Sequence, residues 1–275
     1  MSAWREARPE EMTRLWPAAR AAHLAPTATA FEALRREGPW TVRVSDAGDA
    51  MVLRRWRSDL DILALRAAWA PVARLGWLLA EARAVGAERG YASLLSPLVA
   101  ESRLGPYLES GMSTAQRVLA YQALPQTVLR LAGDSALKLR PAHPDDIVAL
   151  AELDSACFDA FWRYGPEELG GVLVAERVSV CEDEQGLLGY SSGSIAGSTA
   201  TLGRLAVAPR AQRRGLGASL VRDVAAWAAR SGALGLSLCT QEENTASQAL
   251  YRRIGFVEIG ESYAMALGPT GARPR

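Results

Sequence analysis

The chain is short of cysteine, of long apolar runs and of net charge, and each shortage closes off a class of protein. Its three cysteines, Cys157, Cys181 and Cys239, are odd in number, widely spaced and outside any paired Cys/His pattern. That excludes a disulfide framework and a structural zinc site, and it fits a reducing, cytoplasmic setting with no bound metal. The opening MSAWREARPEEM carries charges but no apolar h-region, and the longest apolar stretches are broken by Arg, Gly or Pro well short of a membrane span. A soluble chain without a membrane partner is the expectation. With 31 basic and 30 acidic residues the formal charge is +1, so there is no basic field to hold nucleic acid and no acidic one to hold polycations. What is present is ordinary globular composition, 49% hydrophobic and 22% charged, over 275 residues. That length predicts two domains, each able to bury its own core.

The two domains read as copies of one another. Arg5-Glu-Ala-Arg-Pro9-Glu-Glu-Met-Thr-Arg-Leu15 matches Arg140-Pro-Ala-His-Pro144-Asp-Asp-Ile-Val-Ala-Leu150 in its Arg, Ala, Pro, acid pair and final Leu. Each reads as a strand end followed by a helix that begins at Pro and an acid. Late in each half, Tyr107-Leu-Glu-Ser-Gly111-Met112 echoes Tyr251-Arg-Arg-Ile-Gly255-Phe256. Residues 123 to 136 mix Pro, Gly and small polar residues and read as a linker, which puts the division between residues 1–131 and 132–275.

In the second half the pattern predicts strands at 137–140, 179–182, 189–196, 201–207 and 235–240. Helices are expected at 145–156, 167–175, 217–230 and 246–254, with a closing hairpin over 255–267. The fold class is α/β, a mixed sheet flanked by helices, once in each half.

The chemistry is concentrated in Leu205-Ala206-Val207-Ala-Pro-Arg-Ala-Gln212-Arg213-Arg214-Gly215-Leu216-Gly217-Ala218: an apolar strand, a short basic loop with two glycines, and a helix. Backbone N–H groups at such an entrance, with the helix dipole behind them, form an anion cradle, and Arg213 and Arg214 add charge. No Lys-Ser/Thr follows, so it is not a Walker loop, and the third glycine and ribose-binding acid of a dinucleotide fingerprint are missing. Downstream lies Asn244-x6-Tyr251-x3-Gly255-Phe256. Together, Gln212-x-x-Gly215-x-Gly217 and this second block resemble the GNAT superfamily of acyl-CoA-dependent N-acyltransferases, over residues 137 to 267. The whole chain then looks like two tandem GNAT-like domains, each with a mixed, mostly antiparallel sheet.

The resemblance implies acetyl-CoA as acyl donor, with a primary amine attacking directly in a ternary complex. It implies a pantetheine arm along Leu205, Ala206 and Val207, a diphosphate on residues 212 to 218, and Asn244 on the arm or at the helix start. It also implies that a backbone N–H, that of Val207, polarises the thioester carbonyl, and that Tyr251 protonates the departing thiolate. Relatives with peptide substrates carry a glutamate where this chain has Cys239. The base is therefore sought in water guided by Glu242 or Glu243, with Asp154 and Asp159 on the substrate side. Asp159, Phe161, Trp162 and Tyr164 fall where relatives bind the acceptor. Plainer readings stand beside these: Tyr251 as a packed aromatic, Asn244 as a helix cap, Cys239 as a small buried hydrophobe, and Glu242 and Glu243 as charges at a helix start.

In the first half, Ile62 to Trp69 stands for the cofactor strand, but Pro71-Val-Ala-Arg-Leu-Gly76-Trp77 follows, with the second glycine replaced by Trp77 or lost to a deletion. This copy is expected to be catalytically silent. The second half is similar to the ribosomal-protein-alanine acetyltransferase branch, so the N-terminal amine of a peptide or protein is the favoured acceptor. A small-molecule amine is the alternative, as the likeness to mycothiol synthase in tandem arrangement suggests, and a non-catalytic acyl-CoA sensor is the other. A monomer or homodimer is expected.

Overall fold

The computed structural model describes residues 3–21, 24, 27–57, 60–132 and 138–271. In chain order the first repeat runs β1 (Trp4–Glu6), α1 (Pro9–Ala21), α2 (Ala28–Glu37), β2 (Val42–Ser45), β3 (Ala50–Arg55), β4 (Ile62–Trp69), α3 (Val72–Glu88), β5 (Ser93–Leu95), β6 (Val99–Ala100), α4 (Gly105–Glu109) and β7 (Ser113–Ala123). After α5 (Pro125–Leu131) the second runs β8 (Arg140–Pro141), α6 (Ile147–Cys157), α7 (Pro166–Ala175), β9 (Arg177–Asp183), β10 (Gly186–Ala196), β11 (Thr199–Val207), α8 (Leu216–Arg230), β12 (Gly235–Gln241), α9 (Thr245–Arg253) and β13 (Val257–Pro269). Among the described residues no helix is long and apolar enough to cross a membrane.

The chain forms two compact units that do not follow the expected 1–131 and 132–275 ranges. Residues 1–117 join 263–275 in the first unit, and Val118–Ser262 form the second. The physical reason is strand pairing. The far end of β13 pairs with β5, Leu267 opposite Leu95, whereas β7 pairs with β12, Val118 opposite Gln241 and Ala123 opposite Leu236. Each repeat thus gives its last strand to the other unit's sheet. Two further expectations yield to the structure. The segment read as a linker holds α5, whose Val128 is fully buried, and residues 255–267 form no hairpin but one long strand. The expected strand at 137–140 is seen only at Arg140–Pro141, and Leu137 lies outside the described residues.

In both units an antiparallel run ends in one parallel pair. In the first, β1, β2, β3 and β4 are antiparallel, and β4 then pairs in parallel with β5. In the second, β8 to β11 repeat this, and β11 pairs in parallel with β12. The parallel pairing forces a crossover helix, α3 in one unit and α8 in the other. Apolar faces of α3 and α8 supply the cores, through Leu75, Leu78, Leu79 and Ala82 in the first unit and Val221, Val224, Ala225 and Ala228 in the second.

The repeat extends to single hydrogen bonds. Arg5 clamps Glu11 and Arg140 clamps Asp146, each at 2.7 Å, while the carboxylates also accept the N–H of Arg8 and of His143. Gly90 and Gly232 end the two crossover helices with the same φ of 79°. The turns at Gly111 and Gly255 have φ of 85° and 94°, a left-handed backbone for which glycine is the natural residue.

Candidate active site

The second unit has a glycine-containing turn at the start of α8, and its two glycines are there for different reasons. Gly215 caps α8 in the left-handed region, φ 84°, with no side-chain cap. A Cβ there would meet nothing within 4 Å, so the backbone conformation alone calls for glycine. At Gly217 a Cβ would lie 3.0 Å from Leu250 Cδ2, so this glycine serves the close packing of α8 on α9. Arg213, with φ 64°, is the one non-glycine residue with positive φ among the described residues. Such a backbone costs on the order of 1 kcal/mol or more. Positive φ at Arg213 and Gly215, with Arg214 between them, curls successive N–H groups into a nest. The first helical bond of α8 is Ser219 N–H to Gly215 O at 3.1 Å, which leaves the N–H groups of Leu216, Gly217 and Ala218 as the unpaired donors of the helix entrance. Arg213 and Arg214 are exposed beside them. Gln212 is held differently, its Nε2 donating to Val207 O at 3.1 Å.

The strand that feeds this loop has an open edge. β11 and β12 pair from Thr199 opposite Gly235 to Leu202 opposite Leu238, and among the described residues their ladder stops there. Beyond it, Arg204–Val207 stay paired only with β10, and Cys239–Gln241 only with β7. Ala208 N–H donates to Leu188 O on the β10 side, so by strand alternation Val207 directs its N–H and C=O the other way, into the gap. Its carbonyl accepts Gln212 Nε2 there, and Cys157 Sγ at 3.3 Å. Burial pushes the Cys157 thiol up to about 11, which leaves it a neutral donor.

Tyr251, on α9, is buried, its ring 5.8 Å from Phe256 and 6.2 Å from Tyr121. Burial raises its pKa well above the ordinary phenol value, against a smaller lowering by the hydrogen bond with Ser247. Tyr251 is thus a packed aromatic whose buried hydroxyl stays protonated at neutral pH. Asn244 caps α9, its Oδ1 accepting Ser247 N–H at 3.1 Å. Glu242 and Glu243 are exposed on the turn between β12 and α9. That turn is pinned by Gln248, buried, whose Nε2 donates to Glu242 O at 2.7 Å. Cys239 is exposed on β12, which overturns the reading of it as a small buried hydrophobe, and desolvation by the surrounding protein raises its thiol pKa.

On the opposite face of the sheet the structure corrects one expectation. Asp154, read as a substrate-side carboxylate, is fully buried and saturated. It takes two hydrogen bonds from Arg204, at 2.9 and 2.7 Å, one from Tyr164 N–H at 2.6 Å and one from the Tyr190 hydroxyl. Arg204 also lies 3.5 Å from the Phe158 ring centre and 4.0 Å from that of Tyr164, and it donates to Trp162 O at 2.9 Å. A buried, fully satisfied ion pair is a structural knot, so Asp154 is no base and Tyr164 belongs to the knot's wall. Asp159 is exposed and its Oδ1 accepts the N–H groups of Phe161 and Trp162 at 2.9 and 3.1 Å, holding those two rings edge to face at 5.2 Å. Arg204 was the readable sign missed in the sequence: an arginine inside an apolar strand needs a buried acid. Among the described residues no group of three His, Cys, Asp or Glu side chains could hold a metal.

Residues 147–256 match the acetyltransferase (GNAT) family profile. Over nearly its whole length the chain has the fold of tandem GNAT proteins. A tandem GNAT protein from the clavulanic acid biosynthesis pathway, solved without AcCoA, is 16% identical with a TM-score of 0.70, covering 99% of this chain and 100% of its own. A GCN5-related N-acetyltransferase from Sphaerobacter thermophilus is 18% identical, TM-score 0.61, over 98% of this chain and 96% of its own. One from Anabaena variabilis is 13% identical, TM-score 0.62, over 98% and 73%. At these identities the likeness concerns the fold. No curated protein matches the chain.

Proposed function

We propose that the second unit binds acetyl-CoA and transfers its acetyl group to a primary amine. The observation that carries this reading is the uncapped, arginine-flanked entrance of α8 at the end of a strand whose edge is open. The fit of the donor is chemical: the N–H groups of Leu216, Gly217 and Ala218, with Arg213 and Arg214 beside them, suit a diphosphate. The edge of Leu205, Ala206 and Val207 suits the amide-bearing arm, which adds as a strand would. Gln212 guards that edge by occupying Val207 O. Acetyl-CoA, when bound, supplies the activated acyl group. Val207 N–H, directed into the gap, polarises the carbonyl, Tyr251 Oη gives its proton to the leaving sulfur, and Asn244 fixes the start of the helix that carries Tyr251. Glu242 and Glu243, at the mouth of the gap, receive the amine proton through water.

Phe161 and Trp162, with Asp159 orienting their backbone, form a wall for the acceptor. The N-terminal amine of a peptide is favoured because its reference pKa of about 8 needs less help than a lysine at about 10.4. A small amine is the second reading, favoured by the likeness to a tandem protein from the clavulanic acid biosynthesis pathway. Acceptor-dependent release of CoA thiol, read across peptides and small amines with product mass, tests the proposal. A chain that binds acetyl-CoA but releases thiol with no amine is a sensor.

A further inference from the structure

A second polar site lies in the same unit, on the α7 side of the sheet, and it is built around a glycine whose own backbone does not need one. The strand row Arg177, Gly193, Leu202, Leu238 crosses the second unit's sheet at the point where β11 and β12 part. Just past that row β11 bulges: Leu202 faces Gly193 and Arg204 faces Ser192, leaving Gly203 as the extra residue. A Cβ on Gly203 would lie 2.6 Å from Glu176 Oε2 and 3.0 Å from Ser192 Oγ. Gly203 has no positive φ. The first unit has the same bulge in the same place, between Leu65 and Ala67 opposite Leu53 and Val52, and there the extra residue is Arg66. A side chain is therefore compatible with this backbone. What excludes one at Gly203 is the carboxylate of Glu176 lying on the strand.

Both oxygens that meet over Gly203 lack a partner. Glu176 Oε2 and Ser192 Oγ are buried atoms without a hydrogen bond, and Ser192 is 1% exposed. An unmet buried carboxylate oxygen is costly, and its retention calls for a ligand that supplies protons. Glu176 as a residue is only half-buried, held at the end of α7 by its N–H to Val172 O at 2.8 Å, and Gly203 beside it is exposed. Arg204, opposite Ser192, is held by Asp154 and Trp162 O, and Arg177, next to Glu176 in the chain, is paired with Asp223, so neither is left to hold an anion there.

We propose that Glu176 and Ser192, converging over Gly203, form the subsite that receives the acceptor as a primary ammonium. The inference rests on the function proposed above and deepens it, since the site sits where the acyl-donor gap opens. It selects by charge. An alkylammonium or an amide-flanked α-ammonium finds two acceptor oxygens, whereas a free amino acid brings its carboxylate against Glu176 with no partner for it. Glu176 positions and desolvates the amine, and the proton steps remain those given above.

The test pairs affinity with kinetics. Acetyl-CoA affinity is measured by calorimetry on wild type, Glu176→Gln and Gly203→Ala, and thiol release is followed with ethylamine, alaninamide and free alanine. The expected result is unchanged acetyl-CoA affinity with acceptor KM raised about tenfold or more in Glu176→Gln, the scale of a lost charged hydrogen bond. Alaninamide exceeds alanine in wild type, and that preference collapses in the variant. Gly203→Ala mimics Glu176→Gln alone yet adds nothing in a Glu176→Ala background, which a merely structural role would not give. A crystal of the acetyl-CoA complex soaked in ethylammonium provides the readout independent of turnover, with nitrogen bridging Glu176 Oε2 and Ser192 Oγ. Water alone between them, ammonium elsewhere, or unaltered KM overturns the subsite. Failure of wild type to bind acetyl-CoA overturns the proposed function instead.

Discussion

The two units share a strand order, a bulge and a crossover helix, yet they differ at the one place where a phosphate would be held. In the second, β11 ends at Val207 and α8 begins at Leu216, with the left-handed Arg213 and Gly215 between them. In the first, β4 ends at Trp69 and α3 begins at Val72 behind Pro71, so the whole loop is missing. Of the two readings of the Trp77 region, the deletion fits: Trp77 lies well inside α3, its ring 4.8 Å from Trp4 in the packing of that unit. Aligned on Gly90 and Gly232, Gly217 falls on the buried Leu75. A fold can thus keep its ladders and turns and still lack the one loop on which the proposed function rests.

The contrast can be broken in several ways. Gly215→Trp is expected to abolish acetyl-CoA binding in calorimetry, while Gly76→Trp, open to space in the first unit, leaves it intact; binding that survives the first change refutes the location. Next, Asp154→Asn unmakes the buried pair with Arg204, and a loss of about 3 to 5 kcal/mol in chemical denaturation is predicted. A loss under 1 kcal/mol would mean the knot is not structural. Tyr251→Phe should lower turnover on the order of a hundredfold or more with acetyl-CoA affinity spared. Tyr107→Phe, its counterpart in the first unit, should leave turnover unchanged.

The pH response sharpens the same pair. Because burial raises Tyr251 above 10.0, it remains protonated through neutral and mildly basic pH, and no loss of turnover before pH 10 should trace to it. A basic limb near pH 8 that vanished in Tyr251→Phe would contradict this. The smallest effect concerns the clasp at each repeat's start. The hydrogen bonds from Arg5 hold Glu11 at about 2, below its ordinary 4.5. A depressed carboxylate stabilises the fold above its unfolded pKa, and that contribution fades as pH falls from 4.5 toward 2. Glu11→Gln should flatten the first unit's acid unfolding in that window, and an unchanged profile would remove the clasp from the account.

How much of this was legible depended on range. The cradle was readable because Gln212, Gly215 and Gly217 are close in sequence and their constraints are local. The repeat was readable because Arg5 and Glu11, like Arg140 and Asp146, sit six residues apart. The exchange of β7 and β13 was not, since nothing within Val118–Ala123 states that its partner is Leu236–Gln241 rather than a strand of its own half. The same blindness turned β13 into a hairpin. Asp154 misled because its partner Arg204 is remote in sequence, and Glu176 went unnoticed because only the structure brings it to Gly203 and Ser192.

The central claim is that backbone amides at the start of α8 grip a diphosphate. Amide hydrogen exchange with and without acetyl-CoA tests it most directly. The account predicts new protection across residues 213–218 and none across Val72–Leu75. Protection absent from 213–218, or appearing at the start of α3 instead, would contradict it.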